Sequence, residues 1–242
     1  MEWEAPGIVL DGRPYGEGDL IVAVFTEQQG VHRGLARGGA SRGKVALWQV
    51  GNLVSLRWVG RLPEQLGSLT GEMIQATAAS AMQDAMTLGL MRAACAVTVG
   101  ALPEREVYPI SFSALLRLLA RIGAEVATAG DLARFEMALL ADLGYGLDLS
   151  SCALTGETAD LSLVSPRTGR AVTEAAAGIW RGRMLPLPAF LREVEAEGDA
   201  TQWRDALRLT GHFLERDAFG HHHRPLPEAR RHLYQMVEAQ TG

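Results

Sequence analysis

A run of basic residues between Gly30 and Arg61 contains the side chains best suited to binding phosphate groups. Six basic and no acidic residues give this run a charge of +6, in a protein whose formal net charge is −5. A patch of one sign in an acidic protein favours an extended anionic partner, and we expect nucleic acid. A solvated loop without a ligand is the alternative that charge alone leaves open. The basic residues are Arg33, Arg37, Arg42, Lys44, Arg57 and Arg61.

Within this run, Gly38–Lys44 (GGASRGK) matches the first seven positions of a phosphate-binding loop, G-x-x-x-x-G-K. Such a loop needs Ser or Thr next, because that hydroxyl holds the magnesium ion, and this chain has Val45. The preceding residues are also too polar for the buried strand that feeds such a loop. The sequence therefore favours a flexible basic loop over a nucleotide hydrolase.

Base stacking on exposed aromatic rings accompanies basic grooves in proteins that bind single strands. Phe25 and Trp58 fit the interior of a barrel. Tyr15, between Pro14 and Gly16, and Trp48, next to the basic loop, are the better candidates for stacking.

The sequence motifs that would indicate a metal site or a catalytic nucleophile are weak or absent in this chain. Cys152 opens CALTG, in which Thr155 stands where a C-x-x-C pair would have its second cysteine. The three consecutive histidines His221–His223 cannot point at one ion from a regular element, so an exposed loop between helices is expected. No G-x-S-x-G elbow is present, and no catalytic residue is predicted.

The elements that position these residues change type near Gln75. Before it, short runs of β-branched and aromatic residues alternate with glycine-rich turns, which predicts a five-stranded closed barrel. The expected strands begin at Ile8–Leu10 and continue as Asp19–Thr26, Val31–Arg37, Asn52–Val59 and Ser68–Gln75. On the fourth strand, Val54, Leu56 and Trp58 should face one way and Ser55 and Arg57 the other.

After Gln75 the pattern is helical, apart from residues 147–178, where a small two-stranded insertion is expected. Asp131 is a candidate N-cap. The predicted domains are 1–75, a barrel, and 76–242, a helical domain that carries the insertion; the fold class is α+β. The predicted helices are Ala76–Ala96, Ile110–Ile122, one from near Asp131 to Leu143, Leu187–Glu195, Thr201–Asp217 and Pro227–Gln240.

Whole-chain features restrict the location. The two cysteines, Cys95 and Cys152, cannot form a disulfide framework and fit a reducing cytoplasm. The first ten residues have no basic n-region or long apolar core, and no stretch approaches the roughly 20 apolar residues that cross a bilayer. We expect a cytoplasmic protein with no membrane partner.

Several segments, in this order along the chain, resemble the RecO family of bacterial DNA repair proteins. They are GIVLDGRPYGEGDLIVAVFTEQQGVHRGLARGGASRGK, NLVSLRW, GYGLDLSSCALTG, SPRTGRAV and LPLPAFL. The resemblance covers most of the chain; Ala76–Pro109 has no recognisable motif. It implies an N-terminal OB-fold barrel, a helical C-terminal domain and, in many members, a zinc-binding insertion. It also implies binding of single- and double-stranded DNA, strand annealing, and cooperation with RecR in loading RecA onto strands covered by single-strand-binding protein.

This chain departs from the zinc-bearing members of the family. The resemblance places their four cysteines at Cys152, Thr155, Thr173 and Ala176, so three of the four ligands are missing. We therefore expect the insertion to fold without metal. The residues expected to hold it are Leu154, Leu161, Leu163 and Val172.

The resemblance also implies a surface in the helical domain for the acidic, hydrophobic C-terminal tail of single-strand-binding protein. Such a tail needs an apolar groove with a basic rim. Arg117 and Arg121, beside Leu115–Leu119, and Arg134 are the candidate rim residues. Ordinary surface charges on an amphipathic helix are the alternative.

Together these observations predict a DNA-binding recombination mediator, monomeric and without enzymatic activity, metal or cofactor. If five or six phosphates are neutralised, the logarithmic salt slope for single strands should be about −4. The alternative is a protein adaptor that does not bind DNA and whose basic loop docks an acidic partner.

Overall fold

A computed structural model describes residues 1–62, 65–193 and 196–241, which form two compact units. The first unit comprises Met1–Ala127 and the second Thr128–Gly242. No helix among the described residues is long and apolar enough to cross a membrane.

The first unit is built on a closed barrel with the strand order β1-β2-β3-β5-β4. The barrel confirms the five predicted strands, although β1 is longer at both ends than its apolar run indicated. The strands are β1 (Glu2–Tyr15), β2 (Asp19–Thr26), β3 (Gly30–Ala36), β4 (Leu53–Val59) and β5 (Gly67–Gln75).

The alternation predicted for β4 is confirmed by burial. Val54, Leu56 and Trp58 are at most 1% exposed, whereas Ser55 and Arg57 are exposed. Successive side chains of a strand point to opposite faces, so this pattern places the apolar set inside the barrel and Arg57 on its outer surface.

The barrel closes through a short parallel contact between β3 and β5, at Gly34 with Gly67 and Leu35 with Ser68. Trp58 fills the space beside this contact, and its indole N–H donates to the carbonyl oxygen of Arg33 at 3.1 Å. A Cβ on Gly67 would lie 2.3 Å from the Trp58 ring, and one on Gly34 would lie 2.7 Å from Leu69. The closing strands can approach only because these two positions have no side chain.

Three helices complete the first unit: α1 (Thr77–Ala81), α2 (Ala85–Ala101) and α3 (Pro109–Gly123). The single helix predicted over Ala76–Ala96 is wrong. The chain forms two helices here, and α1 ends at Ala81. Asp84 is the N-cap of α2, because its carboxylate accepts a hydrogen bond from the Thr87 backbone N–H at 2.7 Å.

The end of the barrel at Gln75 coincides with the predicted change from strands to helices. The first compact unit nevertheless extends to Ala127 and includes all three helices. The division of the chain into domains at residue 75 stays a prediction.

The second unit contains three longer helices, α4 (Ala129–Asp142), α6 (Ala200–Phe213) and α7 (Glu228–Ala239). Thr128, and not Asp131, is the N-cap of α4. Asp131 is the third helical residue, and its carboxylate accepts from the Thr128 backbone N–H at 2.8 Å, as in a capping box. The helix predicted over Leu187–Glu195 is reduced to a 3-10 turn, Ala189–Leu191, and its last two residues lie outside the described ranges.

A buried ion pair joins the three helices of the second unit. Glu136 on α4 and Arg230 on α7 are at most 1% exposed, and Arg230 Nε donates to Glu136 Oε1 at 2.5 Å. Thr210 on α6 donates its hydroxyl to the same carboxylate at 2.5 Å, and Arg230 also donates to the Leu207 carbonyl oxygen at 2.7 Å. Every charge in this network has a partner, which is the condition for burying charged groups.

The insertion forms a three-stranded sheet in the order β7-β6-β8, where two strands were predicted. The strands are β6 (Leu161–Val164), β7 (Ala171–Thr173) and β8 (Leu185–Pro186), and a short helix α5 (Glu174–Ala177) follows β7. Leu161 and Val172 are buried and Leu163 is partly buried, as expected. Leu154 is 64% exposed, so its predicted role in the core of the insertion is wrong.

We expect Gly67→Ala to destabilise the protein by about 1–3 kcal/mol, because the new methyl group overlaps the Trp58 ring and the ring has no room to move. The free energy of unfolding in urea measures this cost. Gly18→Ala is the matched control, since a Cβ there meets nothing within 4 Å. Equal stabilities for the Gly67 and Gly18 variants would contradict this account of barrel closure.

Candidate nucleic-acid interface

The basic loop, residues 37–52, connects β3 to β4 and is held by backbone contacts to the barrel. The Gly38 N–H donates to Asp19 Oδ1 at 2.7 Å, and the Ala40 N–H donates to the Gly18 carbonyl oxygen at 3.0 Å. Asn52 closes the other end by donating its side-chain amide to the Ala46 carbonyl oxygen at 2.8 Å. These contacts tie the start of the loop to the β1–β2 turn, and the flexibility expected of the loop stays a prediction.

Four of the six predicted basic residues present exposed cationic groups. Arg37, Arg42 and Lys44 lie in the loop and Arg61 follows β4; within the described ranges none of them forms an ion pair. Lys44 Nζ donates to the backbone carbonyl oxygen of Arg37 at 3.3 Å, which ties the Lys44 side chain to the start of the loop. A charge without a carboxylate partner is available to a phosphate.

Arg33 and Arg57 are already paired with carboxylates, which the charge count did not anticipate. Arg57 lies 2.6 Å from Glu2 and 3.5 Å from Glu4 on β1, and its hydrogen bond to Glu2 raises the pKa of its guanidinium. Arg33 pairs with Glu104, in the connection between α2 and α3. The strand register places Glu4 directly opposite Arg57. Among the described residues, folding therefore leaves four of the six basic charges of the run without an ion pair.

A groove of about 610 Å³ lies between the basic loop and β5. Arg37 and Lys44 line one side, Thr70 and Glu72 belong to the other, and Leu69 also contributes to the lining. The single carboxylate of Glu72 partly offsets the two cations. This groove on the outside of the barrel is the place where an extended anionic chain would meet both an apolar lining and free positive charge.

The two aromatic candidates differ in accessibility. Tyr15 is 53% exposed at the end of β1, where Gly16 turns the chain with φ of +61°. Trp48 is 5% exposed and packs in the barrel core with Val9, Leu20 and Ala36. Trp48 is thus mostly buried, although it is among the residues that line the groove, so stacking of a base on Trp48 stays a prediction.

The three arginines predicted for the partner surface have different surroundings. Arg117 and Arg121 are exposed on α3, but Leu115 and Leu119 beside them are at most 2% exposed and belong to the core. Arg134, on α4, donates to the carbonyl oxygens of Phe190 and Ala196 at 3.2 and 2.8 Å. Arg134 thus holds the chain that follows Phe190, which makes it a positioning residue within the second unit.

A different surface of the second unit has the features expected of the partner groove. A cleft of about 550 Å³ lies between α6 and α7, lined by Leu185, Leu207 and Leu226, with Arg208 and Arg231 exposed at its rim. Glu215 and Glu238 also line it. The two rim arginines lie on helices that the sequence predicts, but only the packing of α6 against α7 brings them together.

The four positions at which the resemblance placed zinc ligands are linked by hydrogen bonds. The Thr173 backbone N–H donates to Cys152 Sγ at 3.5 Å, and the Ala176 N–H donates to Thr173 Oγ1 at 3.3 Å. Hydrogen bonds from the Thr155 hydroxyl and the Thr173 N–H lower the pKa of the Cys152 thiol to about 6, outweighing the opposing effect of burial. Two of the three replaced positions, Thr155 and Thr173, thus form hydrogen bonds with the Cys152 sulfur.

The described residues contain no group of three or more His, Cys, Asp or Glu side chains arranged to hold a metal ion. One thiolate and two hydroxyls do not provide the four ligands of a structural zinc site. The metal-free insertion stays a prediction. His221 is exposed and stacks on Tyr145 at 5.7 Å between ring centroids, consistent with the loop expected there.

Comparison with known families agrees with this architecture. The family model described as Recombination protein O N terminal matches residues 1–77, and the one described as Recombination protein O C terminal matches residues 82–225. The chain belongs to the RecO family. The first of these matches covers the OB-fold barrel, and the second covers α2 to α6.

Curated relatives match over nearly their whole length. The DNA repair protein RecO of Granulibacter bethesdensis is 54% identical over 100% of this chain and 97% of its own length. That of Acidiphilium cryptum is 55% identical over 98% of this chain and 96% of its own length. That of Gluconacetobacter diazotrophicus is 52% identical over 99% of this chain and 96% of its own length.

We expect the two cysteines to titrate far apart. The pKa of Cys152 is lowered to about 6, whereas burial raises that of Cys95 to about 12. Ultraviolet thiolate absorbance should show one step as the pH rises through about 6, and Cys152→Ser should remove it while Cys95→Ser keeps it. Because the folded pKa lies below the ordinary value near 9, the thiolate adds stability at high pH that is lost as pH falls through about 6. A thiolate step only near pH 9 would contradict the hydrogen-bonded arrangement.

Proposed function

We propose that this chain is a DNA-binding recombination mediator that acts in recombinational repair. The observation that carries the proposal is the set of free cations beside the groove of the OB-fold barrel, in a chain whose relatives are named DNA repair proteins. Phosphate contacts of this kind hold a nucleic acid without reading its sequence. The partner is therefore single- or double-stranded DNA of any sequence.

Annealing follows from the same electrostatics. Two complementary strands repel each other through their phosphates, and a protein that neutralises part of that charge allows them to approach and pair. Such an activity needs no catalytic residue, metal or cofactor. The proposed interface consists of Arg37, Arg42, Lys44 and Arg61, with Tyr15 as the exposed aromatic ring; Arg33 and Arg57 contribute less because carboxylates already hold them.

In this proposal the protein works with RecR to help load RecA onto strands covered by single-strand-binding protein, as a cytoplasmic monomer. Membership of the RecO family supports these finer assignments. The acidic, hydrophobic tail of single-strand-binding protein suits an apolar groove with a basic rim. The α6–α7 cleft offers a basic rim, Arg208 and Arg231, around a lining that includes Leu185, Leu207 and Leu226.

A protein adaptor that uses the basic loop to bind an acidic partner is the alternative. Free cations in the loop would serve either role. A groove with an apolar lining beside those cations favours an extended chain with stacked bases over a folded acidic surface. Quenching of intrinsic tryptophan fluorescence by an oligonucleotide, with none by an acidic protein of similar charge, would separate the two.

For the wild type we expect a logarithmic salt slope for single-stranded DNA of about −3, because four cations are free and each contributes about −0.7. The double variant Arg42→Ala/Lys44→Ala should make the slope less steep, about −1.5, and slow strand annealing. Fluorescence anisotropy of a labelled oligonucleotide at several salt concentrations measures the slope.

Arg57→Ala is the matched control for that experiment. It removes a basic residue from the same run, but one already paired with Glu2 and Glu4. Its slope should stay close to that of the wild type. An affinity that does not vary with salt, or an Arg57→Ala variant as weak as the double variant, would overturn the proposed interface.

We further expect Arg208→Ala/Arg231→Ala to weaken binding of a peptide with the sequence of the tail by about tenfold, since each change removes one rim charge worth roughly 0.2–1 kcal/mol. Arg117→Ala/Arg121→Ala is the comparison. Calorimetric titration of the peptide gives both affinities. If only the Arg117/Arg121 variant binds the peptide more weakly, the tail binds at α3 and not at the α6–α7 cleft.

A further inference from the structure

An exposed segment of the second unit, Gly178–Arg183 (GIWRGR), plays no part in the sites described above. It is a 3-10 turn in which no residue is buried. Ile179 is 92% exposed and Trp180 is 53% exposed. The other four tryptophans of the chain are buried or partly buried, so Trp180 is the most accessible indole in the protein.

Both ends of this segment are anchored. Ala177, at the end of α5, is 1% exposed, and Leu185, at the start of β8, is 7% exposed. Between them the chain projects, because Gly178 turns it with φ of +50° and a Cβ at Gly178 or Gly182 would meet no atom within 4 Å. The small sheet of the insertion thus presents this turn to solvent from a fixed base.

The charges around the indole are basic. The guanidinium carbon of Arg183 lies 5.3 Å from the centroid of the Trp180 ring, within the range of a cation–π contact. Arg181 lies 2.5 Å from Glu174, so its charge is partly offset. Arg183 forms no ion pair within the described ranges, and its charge is free beside the ring.

An exposed ring with a free arginine beside it is the combination that platforms for single-stranded nucleic acids use. A base stacks on the aromatic face while the guanidinium contacts the neighbouring phosphate. Ile179 and Trp180 are neighbours in sequence and both leave apolar surface in water, so a ligand that covers them gains the free energy of that burial. The free positive charge at this patch complements a polyanion.

We propose that Gly178–Arg183 is a second binding site for single-stranded DNA, in which a base stacks on Trp180 and Arg183 contacts the adjacent phosphate. This inference rests on the proposed function, because annealing requires that one protein handle two strands. The basic loop of the barrel holds one strand through phosphate contacts, and the Trp180 site holds a strand through its bases.

The test compares Trp180→Leu with Trp180→Phe in the full chain. Leucine keeps an apolar side chain but offers no aromatic face, whereas phenylalanine keeps the face. Trp180→Leu should weaken binding of an oligo-dT at raised salt by about fivefold to a hundredfold and slow annealing; Trp180→Phe should retain most of both. Because stacking is not screened as phosphate contacts are, the loss should persist as salt rises, while the effect of Arg42→Ala/Lys44→Ala shrinks.

Trp180 is a surface residue, so thermal unfolding of both variants should match the wild type. Trp203→Phe serves as the control for loss of an indole elsewhere in the second unit.

If wild-type protein binds no oligonucleotide, the proposed function itself fails. If the wild type binds with a slope that depends on Arg42 and Lys44 but Trp180→Leu binds and anneals unchanged, the second site alone is overturned. Loss of binding to the single-strand-binding-protein tail in Trp180→Leu, with oligonucleotide binding intact, would also overturn it and make this patch a protein-docking surface.

Discussion

The hydrogen bond from the Trp58 indole to the Arg33 carbonyl oxygen is the constraint on which the first unit depends. Trp58 belongs to β4 and Arg33 to β3, strands that are not neighbours in the barrel, so this bond spans the gap that β5 closes. An indole inside a barrel is stable only if its N–H finds a partner and its ring is fully packed. Here Gly34, Gly60 and Gly67 make room for the ring, and a Cβ on any of them would crowd a neighbouring side chain. Because the basic loop begins directly after β3 and the groove uses β5 as its other wall, the closure of the barrel positions the whole candidate interface.

Electrostatics on this barrel depends on which carboxylates fold back onto which arginines. β1 brings Glu2 and Glu4 to Arg57, and the connection after α2 brings Glu104 to Arg33. These pairs are exposed or half-exposed, so each adds little stability in water. Among the described residues of the basic run, they leave Arg37, Arg42, Lys44 and Arg61 as the ones without an ion pair.

The second unit uses polar contacts where an apolar core or a metal would otherwise be expected. Glu136 and Arg230 are buried together, and Thr210 and the Leu207 carbonyl oxygen occupy their remaining hydrogen-bonding positions. Breaking one member of such a network leaves an uncompensated charge, so the network specifies how α4, α6 and α7 meet. In the insertion, hydrogen bonds from Thr155 and Thr173 stabilise the Cys152 thiolate, as coordination to a metal would.

Much of this architecture was determined by the sequence alone. The alternation of Val54, Leu56 and Trp58 with Ser55 and Arg57 specifies which face of β4 is buried, because the period of a strand is fixed by its backbone. Asp19–Thr26 was predicted with its observed bounds, and the order of motifs along the chain indicated the RecO family. The position of the basic loop between two strands was likewise visible from the glycine and arginine spacing. The break at Asp84 was within reach too, since Asp is a common N-cap, but the apolar composition around it concealed the signal.

Only the tertiary structure decided which residues of the basic run are available to a ligand. Glu2, Glu4 and Glu104 lie outside that run, and pairing across strands and loops cannot be inferred from the charge of a local segment. Trp48 is similar: it lies close to Arg42 and Lys44 in the sequence, yet its ring packs in the barrel interior. The reverse holds for Trp180, which sits in a hydrophobic stretch of sequence but lies on a projecting turn. Sequence sets the period, the charge and the turn residues of each element, whereas exposure and ion pairing depend on contacts between segments far apart in the chain.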